Sequence, residues 1–150
     1  MRRNTKVFHP LSSADKKLIE AATDVLRKNY RPELHTVGAA VLCGSGRIYS
    51  GINVEACGYG PCAEPVAIGT AFSNGERDIK AIVAVCRSRA GYCVLPPCGN
   101  CRQLIVDYAP DAWVILNHNG KPSKARARDL LPESYHHIEK AHRGKPKRGR

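Results

Sequence analysis

Three cysteines and a glutamate, arranged in two short motifs, constrain this chain more than any other feature. Cys62 is followed two positions later by Glu64, and a proline introduces the second motif, in which Cys98 and Cys101 are three positions apart. Three thiolates can hold a tetrahedral zinc ion and leave its fourth position to water, as in catalytic rather than structural zinc sites. Zinc lowers the pKa of such a water to about 7. The motifs therefore predict a catalytic zinc site in which Glu64 carries protons.

Both motifs are predicted to lie where a helix begins. Pro65 is tolerated in a first helical turn and Gly75 lies where a C-terminal cap would, which predicts a helix over residues 62–74. A second helix is predicted over residues 98–108. Because unpaired N–H groups at a helix N-terminus favour negative charge, the N-termini of both predicted helices would stabilise thiolates. We therefore expect two helix N-termini to converge on one metal ion.

Two alternative roles for the cysteines stay open from the residues alone. A closed structural zinc site could recruit Cys57 or Cys93 as its fourth thiolate, although such a site has no use for Glu64. A C-x-x-C pair can also be a redox dithiol, which would leave Cys62 without a role. Glu64 therefore weighs against the closed site, and the third cysteine, with the proline before each predicted helix, weighs against the redox pair.

The rest of the chain alternates between helical and strand patterns. Ser12 and Asp15 have the spacing of a capping box, and apolar residues recur at helical intervals after them. The predicted helices and strands are a helix over 12–30, strands over 37–43, 47–54, 79–86 and 112–117, and a short helical piece over 127–131, with 87–97 as a loop. This alternation predicts an α/β sheet with helices on its faces.

Length and composition set the class of protein. The 150 residues are predicted to form a catalytic domain over 1–138 and a basic tail over 139–150. The longest apolar run is shorter than the roughly 18 residues of a membrane span, so no membrane-spanning helix is predicted. The basic N-terminus is not followed by an apolar stretch, so no secretory signal is predicted. The seven cysteines are an odd number, which favours a reducing compartment, so we expect a cytoplasmic protein.

The net charge of +11 is concentrated toward the C-terminus. The basic residues of this region are Lys140, Arg143, Lys145, Lys147, Arg148 and Arg150. They are mixed with glycine and proline and lack the interleaved aromatic residues of a single-strand binding platform. We therefore expect, at most, weak and salt-sensitive contact with nucleic acid through the tail.

Together, the two motifs resemble those of the small cytidine deaminase family, which includes a blasticidin-S deaminase branch. The likeness is carried by residues 62–64 and 97–103, and it extends from 37–41 through 53–55 to 129–132. The resemblance implies a three-layer α/β sandwich in which helices cover both faces of a mixed five-stranded sheet. It implies zinc-dependent hydrolytic deamination of a cytosine ring at C4, in a free nucleoside such as cytidine or deoxycytidine. A homotetramer, which is usual in the family, is the expected assembly.

The resemblance also assigns roles to residues around the motifs. Asn53 and Glu55 match the pair that hydrogen-bonds the ribose 3′-hydroxyl in cytidine deaminases. The backbone N–H of Ala63 matches a donor to the carbonyl of the base. Arg102, together with the helix N-termini, would compensate the charge of three thiolates.

The branch of the family stays open between two alternatives. The short gap from Glu55 to Cys62, with Gly60 and Pro61 inside it, resembles the blasticidin-S deaminases. Those enzymes typically lack the glutamate at position 55, which favours a cytidine deaminase. Pro65 also departs from the arginine that is usual in cytidine deaminases.

Two further functions and one contact between subunits follow less directly from the sequence. A deaminase that acts on polynucleotides would use the basic tail, and a non-catalytic zinc module would have no role for Glu64. Tyr135 resembles an aromatic residue that reaches the active site of a neighbouring subunit in the family, although it could equally be a surface tyrosine.

Overall fold

The chain forms an α/β fold in a computed structural model that describes residues 7–136. In this range the elements are α1 (Ser13–Asn29), β1 (Val37–Cys43), β2 (Ile48–Ile52), α2 (Ala63–Ser73), β3 (Ile79–Ser88), β4 (Gly91–Leu95), α3 (Gly99–Tyr108), β5 (Trp113–His118), β6 (Lys121–Arg126) and a 3-10 helix (Ala127–Leu130). The predicted tail, 139–150, and its boundary with the domain lie outside the described residues. No helix among those residues has the length and apolarity to cross a membrane.

β3 is the central strand of a mixed sheet. The strand order is β2–β1–β3–β5–β6, and β4 also pairs with β3. β1 pairs antiparallel along one edge of β3. The other edge pairs in parallel with β5 at residues 81–83 and antiparallel with β4 at residues 84–88. The predicted α/β class and the mixed sheet are confirmed.

Helices cover both faces of this sheet, as predicted. α1 packs Leu26 onto one face, where Val83 of β3 is buried. α2 and α3 pack Ala67 and Ile105 onto the opposite face, where Ile82 of β3 is buried. Successive side chains of a strand point to opposite faces, so one apolar strand supplies the core of both layers.

Two glycines allow the helices to approach the sheet closely. A Cβ atom on Gly38 of β1 would lie 2.5 Å from the carbonyl oxygen of Ala22. A Cβ atom on Gly51 of β2 would lie 2.6 Å from the backbone nitrogen of Ala67. Any side chain at these positions would push a helix away from the sheet.

The sheet has six strands among the described residues, whereas five were expected. Residues 87–97 are predicted to be a loop, but Gly91–Leu95 form β4, a strand that is short and flanked by glycine and prolines. β6 follows a turn in which Asn119 and Gly120 both have positive φ. It is polar and contains Pro122, as edge strands can, so it has little of the apolar alternation that predicts a strand.

The N-terminus of α1 is bound to the edge strand β6. Ser12 and Asp15 exchange the two hydrogen bonds of the predicted capping box. The Lys124 Nζ atom of β6 donates to Asp15 Oδ2 at 2.6 Å, and the two side chains are only 14% and 7% exposed. Burial acts to raise the pKa of Asp15, but hydrogen bonds from Lys124 and Ser12 outweigh it and hold that pKa below its usual value. The ion pair therefore joins the first helix to the last strand.

Breaking this ion pair is expected to destabilise the fold. Asp15→Asn leaves Lys124 without its anionic partner, and should lower the free energy of unfolding by about 3 kcal/mol at neutral pH. Because the pKa of Asp15 is lower in the folded than in the unfolded chain, its contribution is full above the unfolded-state pKa and is lost as the pH falls through the folded-state pKa. Urea unfolding of both proteins, from neutral pH into the acid range, should show their stabilities converging in acid.

Asp24→Asn is the matched control on the same helix. Asp24 pairs with Arg27, but these side chains are 54% and 62% exposed. Exposed pairs contribute about 1 kcal/mol or less. Similar losses in the two variants would contradict a special role for the buried pair.

Candidate active site

The three cysteines of the two motifs meet at the N-termini of α2 and α3. Cys62 is the N-cap of α2, Cys98 is the N-cap of α3, and Cys101 lies in the first turn of α3. Their Sγ atoms all lie within 4.8 Å of one another, and those of Cys62 and Cys98 are 3.8 Å apart. A tetrahedral zinc with Zn–S bonds of about 2.3 Å spaces its sulfurs about 3.8 Å apart. The donor set and its spacing therefore fit zinc.

Burial and hydrogen bonds at the helix starts shift the pKa values of these three thiols. Burial acts to raise the pKa of Cys98, but hydrogen bonds from Cys101, including one from its backbone N–H, outweigh it and leave that pKa lowered. Burial and then the nearby Glu64 raise the pKa of Cys101. Burial and then the hydrogen bond with Cys98 raise the pKa of Cys62. Two of the three sulfurs therefore hold their protons without a cation, and metal binding would release them.

Within residues 7–136, these three cysteines are the group that could hold a metal ion. Cys57 is exposed in the loop before α2 and is not part of the group. Cys93 lies on β4, where its Sγ atom is 3.1 Å from that of Cys86. Neither supplies a fourth thiolate, so the closed four-cysteine alternative is not formed. The third sulfur, from Cys62, also distinguishes the group from a simple redox dithiol.

Glu64 lies beside the sulfurs in the first turn of α2. Its side chain is 5% exposed, which makes it one of the few buried charged residues in the described chain. Burial raises the pKa of Glu64, and hydrogen bonds from its own backbone and from Cys101 offset only part of this effect. Proton transfer is most efficient when the pKa of the group approaches the working pH, so a raised pKa suits a carboxyl that accepts and returns protons.

Cys62, Cys98 and Glu64 line a cavity of about 210 Å³. Its wall is formed by the end of β2, the loop before α2, the start of α2, and parts of β1, β3 and β4. The lining residues are Thr36, Val37, Asn53, Glu55, Gly60, Pro61, Cys62, Ala63, Glu64, Ala84, Leu95, Pro96 and Cys98. Pockets for drug-sized ligands usually span about 300–1,000 Å³, so this cavity suits a small molecule.

Several residues of this lining were not predicted as site residues, among them Thr36, Ala84 and Leu95. Thr36 lies just before β1, in a segment without a motif. Ala84 is an ordinary residue of an apolar strand, and Leu95 falls in the segment predicted to be a loop. The run from Tyr92 to Leu95 does carry a strand-like apolar pattern, which is the signal that could have placed Leu95.

Asn53 and Glu55 both line the cavity, but they differ in how their polar atoms are used. The Oδ1 atom of Asn53 accepts hydrogen bonds from the backbone N–H groups of Thr36 and Val37, at 2.8 and 2.9 Å. Its Nδ2 atom donates to the Leu34 carbonyl at 3.3 Å and to Glu55 Oε1 at 3.1 Å. The amide of Asn53 is thus fully engaged within the protein and positions Glu55. The carboxylate of Glu55 keeps free acceptor capacity toward the cavity.

The two remaining predicted residues, Ala63 and Arg102, lie in the first turns of α2 and α3. Ala63 is the first residue of α2, is fully buried and lines the cavity, and α2 has no side-chain cap hydrogen bond. Arg102 donates from Nε to the Pro97 carbonyl at 2.9 Å and from a terminal nitrogen to the Leu130 carbonyl at 3.2 Å. These hydrogen bonds anchor the segment that carries Cys98.

Known proteins share this sequence pattern and this fold. A sequence model of the cytidine and deoxycytidylate deaminase zinc-binding region matches residues 12–117. The chain is 40% identical to the blasticidin-S deaminase of Bacillus cereus over 137 residues, which cover 87% of this chain and 97% of that protein. It is 38% identical to a cytidine deaminase of Halalkalibacterium halodurans over 103 residues, 66% of this chain and 76% of that protein.

Solved structures extend the similarity to three dimensions. The crystal structure of cytidine deaminase from Burkholderia pseudomallei superposes with a TM-score of 0.69 at 32% identity, and covers 83% of this chain and 100% of that one. The cytidine deaminase of Mycobacterium tuberculosis superposes with a TM-score of 0.67 at 30% identity, with 83% and 99% coverage. The fold that positions the cysteines is therefore the fold of these deaminases.

Proposed function

The chain belongs to the cytidine and deoxycytidylate deaminase family, and we propose that it removes the 4-amino group from the cytosine ring of a free nucleoside by hydrolysis. Cytidine or deoxycytidine and water would give uridine or deoxyuridine and ammonia. One observation carries this proposal: the buried carboxyl of Glu64 lies beside three sulfurs with the spacing of zinc ligands, in the wall of a small cavity.

Cys62, Cys98 and Cys101 would hold Zn²⁺. When bound, zinc supplies a Lewis acid that makes water acidic enough to act as a nucleophile near neutral pH. Glu64 accepts one proton as water adds to C4 of the ring, and passes it to N3. Glu64 then carries the proton of the new C4 hydroxyl to the amino group. The C4–N bond breaks, ammonia leaves, and a C4 carbonyl remains.

The substrate would be oriented by groups on both sides of Glu64. The backbone N–H of Ala63, at the uncapped start of α2, is a donor for the carbonyl oxygen of the base. Glu55 is an acceptor for a sugar hydroxyl, because only part of its carboxylate is used by Asn53. Asn53 contributes by holding Glu55 in place.

The second candidate is deamination of blasticidin S, whose cytosine carries the same 4-amino group. It is favoured by the 40% identity to the blasticidin-S deaminase of Bacillus cereus, which spans 97% of that protein. The chemistry of Glu64 and zinc would be unchanged, so the two candidates differ only at the sugar and beyond it.

A panel of substrates tests both candidates. The zinc-loaded protein is incubated with cytidine, deoxycytidine, blasticidin S and a cytosine-containing single-stranded oligonucleotide, and the loss of the aminopyrimidine absorbance is followed. We expect a kcat/KM for the nucleosides at least about 100-fold above that for the oligonucleotide. Preference for blasticidin S would select the second candidate. Turnover of the oligonucleotide alone would indicate a polynucleotide deaminase, and no turnover at all would indicate a non-catalytic zinc module.

Glu55 is expected to act on the sugar rather than on the base. A hydrogen bond to a charged group is typically worth about 1.5–3 kcal/mol, so Glu55→Ala should lower kcat/KM for cytidine roughly 10- to 100-fold. The same variant should lose little with 3′-deoxycytidine, which lacks the hydroxyl that Glu55 would accept. Steady-state kinetics of both proteins with both nucleosides measures the difference. Equal losses on the two nucleosides would show that Glu55 does not read this hydroxyl.

The assembly and location of the protein are proposals that rest on the family resemblance. We expect a homotetramer, which light scattering of the purified protein would test. The Tyr135 side chain is 70% exposed, while Gln103 hydrogen-bonds the Tyr135 backbone at 2.9 Å in both directions, so the ring is held at the surface beside α3. This position would let the ring reach a neighbouring subunit. Thiolate ligands need a reducing environment, which supports a cytoplasmic location.

A further inference from the structure

Cys86 and Cys93 form a second pair of close sulfurs, separate from the cysteines of the zinc site. They lie on β3 and β4 and oppose each other directly in the antiparallel register. Their Sγ atoms are 3.1 Å apart, closer than those of Cys62 and Cys98. Both side chains are half-buried. Small molecules can therefore reach a pair of sulfurs that already touch.

The strand geometry matches the requirements of a disulfide. The Cα atoms of directly opposed residues in an antiparallel pair lie about 4.5–5.5 Å apart. Disulfides span Cα separations of about 4.4–6.8 Å, with an S–S bond of about 2.05 Å. Cys86 and Cys93 can therefore reach bonding distance by side-chain rotation, without a shift of either strand.

The pair lies next to the candidate active site along the same two strands. Ala84 of β3 opposes Leu95 of β4, and both line the cavity. Residues two apart on a strand point to the same face, so Cys86 and Cys93 form the next pair beyond that one. A covalent bond between them would fix β4 to β3 immediately before the segment that carries Cys98.

We propose that Cys86 and Cys93 are a reversible redox site, which a low-molecular-weight disulfide such as oxidised glutathione converts into a cross-strand disulfide. One thiolate attacks the small disulfide, forms a mixed disulfide and releases one thiol. The other thiolate attacks the protein sulfur of that mixed disulfide, forms the Cys86–Cys93 bond and releases the second thiol. The two cysteines lose two electrons and two protons, and the small disulfide gains them.

The rate of this exchange is expected to rise with pH. Burial, and then the hydrogen bond with Cys93, raises the pKa of Cys86 to about 11. Since the thiolate is the reacting form, a larger fraction reacts as the pH increases. This dependence distinguishes exchange at the pair from reactions that do not pass through a thiolate.

The test uses the zinc-loaded, full-length protein and oxidised glutathione. After removal of the reagent, tryptic peptides are analysed without reduction. Arg87 and Arg89 lie between the two cysteines, so trypsin separates them and their peptides stay joined only through a disulfide. We expect the joined peptides, with Cys93 identified by fragmentation, one retained zinc per chain, and reversal by dithiothreitol. Closing so short a loop should also raise Tm by about 5 °C.

Two variants serve as controls. Cys93→Ser should abolish both the joined peptides and the rise in Tm, while Cys57→Ser, at the exposed cysteine of another loop, should leave both unchanged. The proposal is wrong if the native protein stays unlinked under conditions that glutathionylate Cys57. It is also wrong if the linked peptide carries its bond at Cys98 or Cys101, or if Cys86 stops at a stable mixed disulfide with glutathione.

Discussion

Glu64→Gln is expected to lower kcat about 10⁴-fold while the protein keeps its fold and its zinc. The amide has nearly the same shape as the carboxyl, so it fits a side-chain site that is only 5% exposed. It cannot accept a proton from water and return it to the ring or to the amine, and general acid–base catalysis typically contributes about 10²–10⁴-fold. Here one group serves both proton transfers, so the loss should lie at the upper end of that range.

The measurement combines steady-state kinetics on cytidine with zinc content and thermal unfolding of the same preparation. Glu20→Gln is the matched control, because Glu20 is exposed on α1, which covers the opposite face of the sheet. The control should keep full activity. If Glu64→Gln retained a tenth or more of the native kcat, another group would have to carry the protons.

Cys98→Ala is expected to remove the metal, and the activity with it. Cys98 is exposed, so the truncation leaves no cavity in the core. Structural zinc sites bind with about 10–16 kcal/mol shared among their ligands, so losing one thiolate should weaken binding by roughly 3 kcal/mol, or more than about 100-fold. Competition with a chromophoric chelator measures the affinity, and the zinc per chain after dialysis measures the occupancy.

The control for this loss is Cys57→Ala. Cys57 precedes Cys62 in the same loop and is exposed, but it is not part of the group of three sulfurs. This variant should keep one zinc per chain and native activity. Stoichiometric zinc in Cys98→Ala would show that Cys98 is not a zinc ligand. Loss of zinc in Cys57→Ala would instead support a four-cysteine site.

The local parts of the site could be predicted because they depend on neighbours in sequence. The capping box of Ser12 and Asp15 and the N-cap positions of Cys62 and Cys98 follow from spacings of a few residues. A helix start has its own chemistry, since its free N–H groups select particular side chains wherever the helix is placed. Proline in the first turn of α2 added to this signal.

Contacts between distant segments could not be predicted in the same way. β6 is polar, and it forms a strand only because it can pair with β5. β4 forms a strand only because β3 extends beyond the residues that pair with β5. Strand propensity depends strongly on such neighbours. For the same reason, the hydrogen-bond partners of Arg102 and the short distance between Cys86 and Cys93 could not be predicted from the sequence. These contacts join residues that only the folded sheet brings together.

The amino-acid sequence by itself determined the chemistry of this protein: three thiols and one carboxyl at helix starts, in a pattern that suits zinc and proton transfer. Only the tertiary structure decided how these groups are used, because pairing β1, β3 and β5 brings the ends of α2 and α3 within one coordination sphere. It also gave Asn53 and Glu55 different roles, because three backbone groups and Glu55 itself saturate the amide of Asn53, whereas the carboxylate of Glu55 can still accept a hydrogen bond. Hydrogen bonds between segments far apart in the chain are a property of the fold, and residue spacing does not encode them.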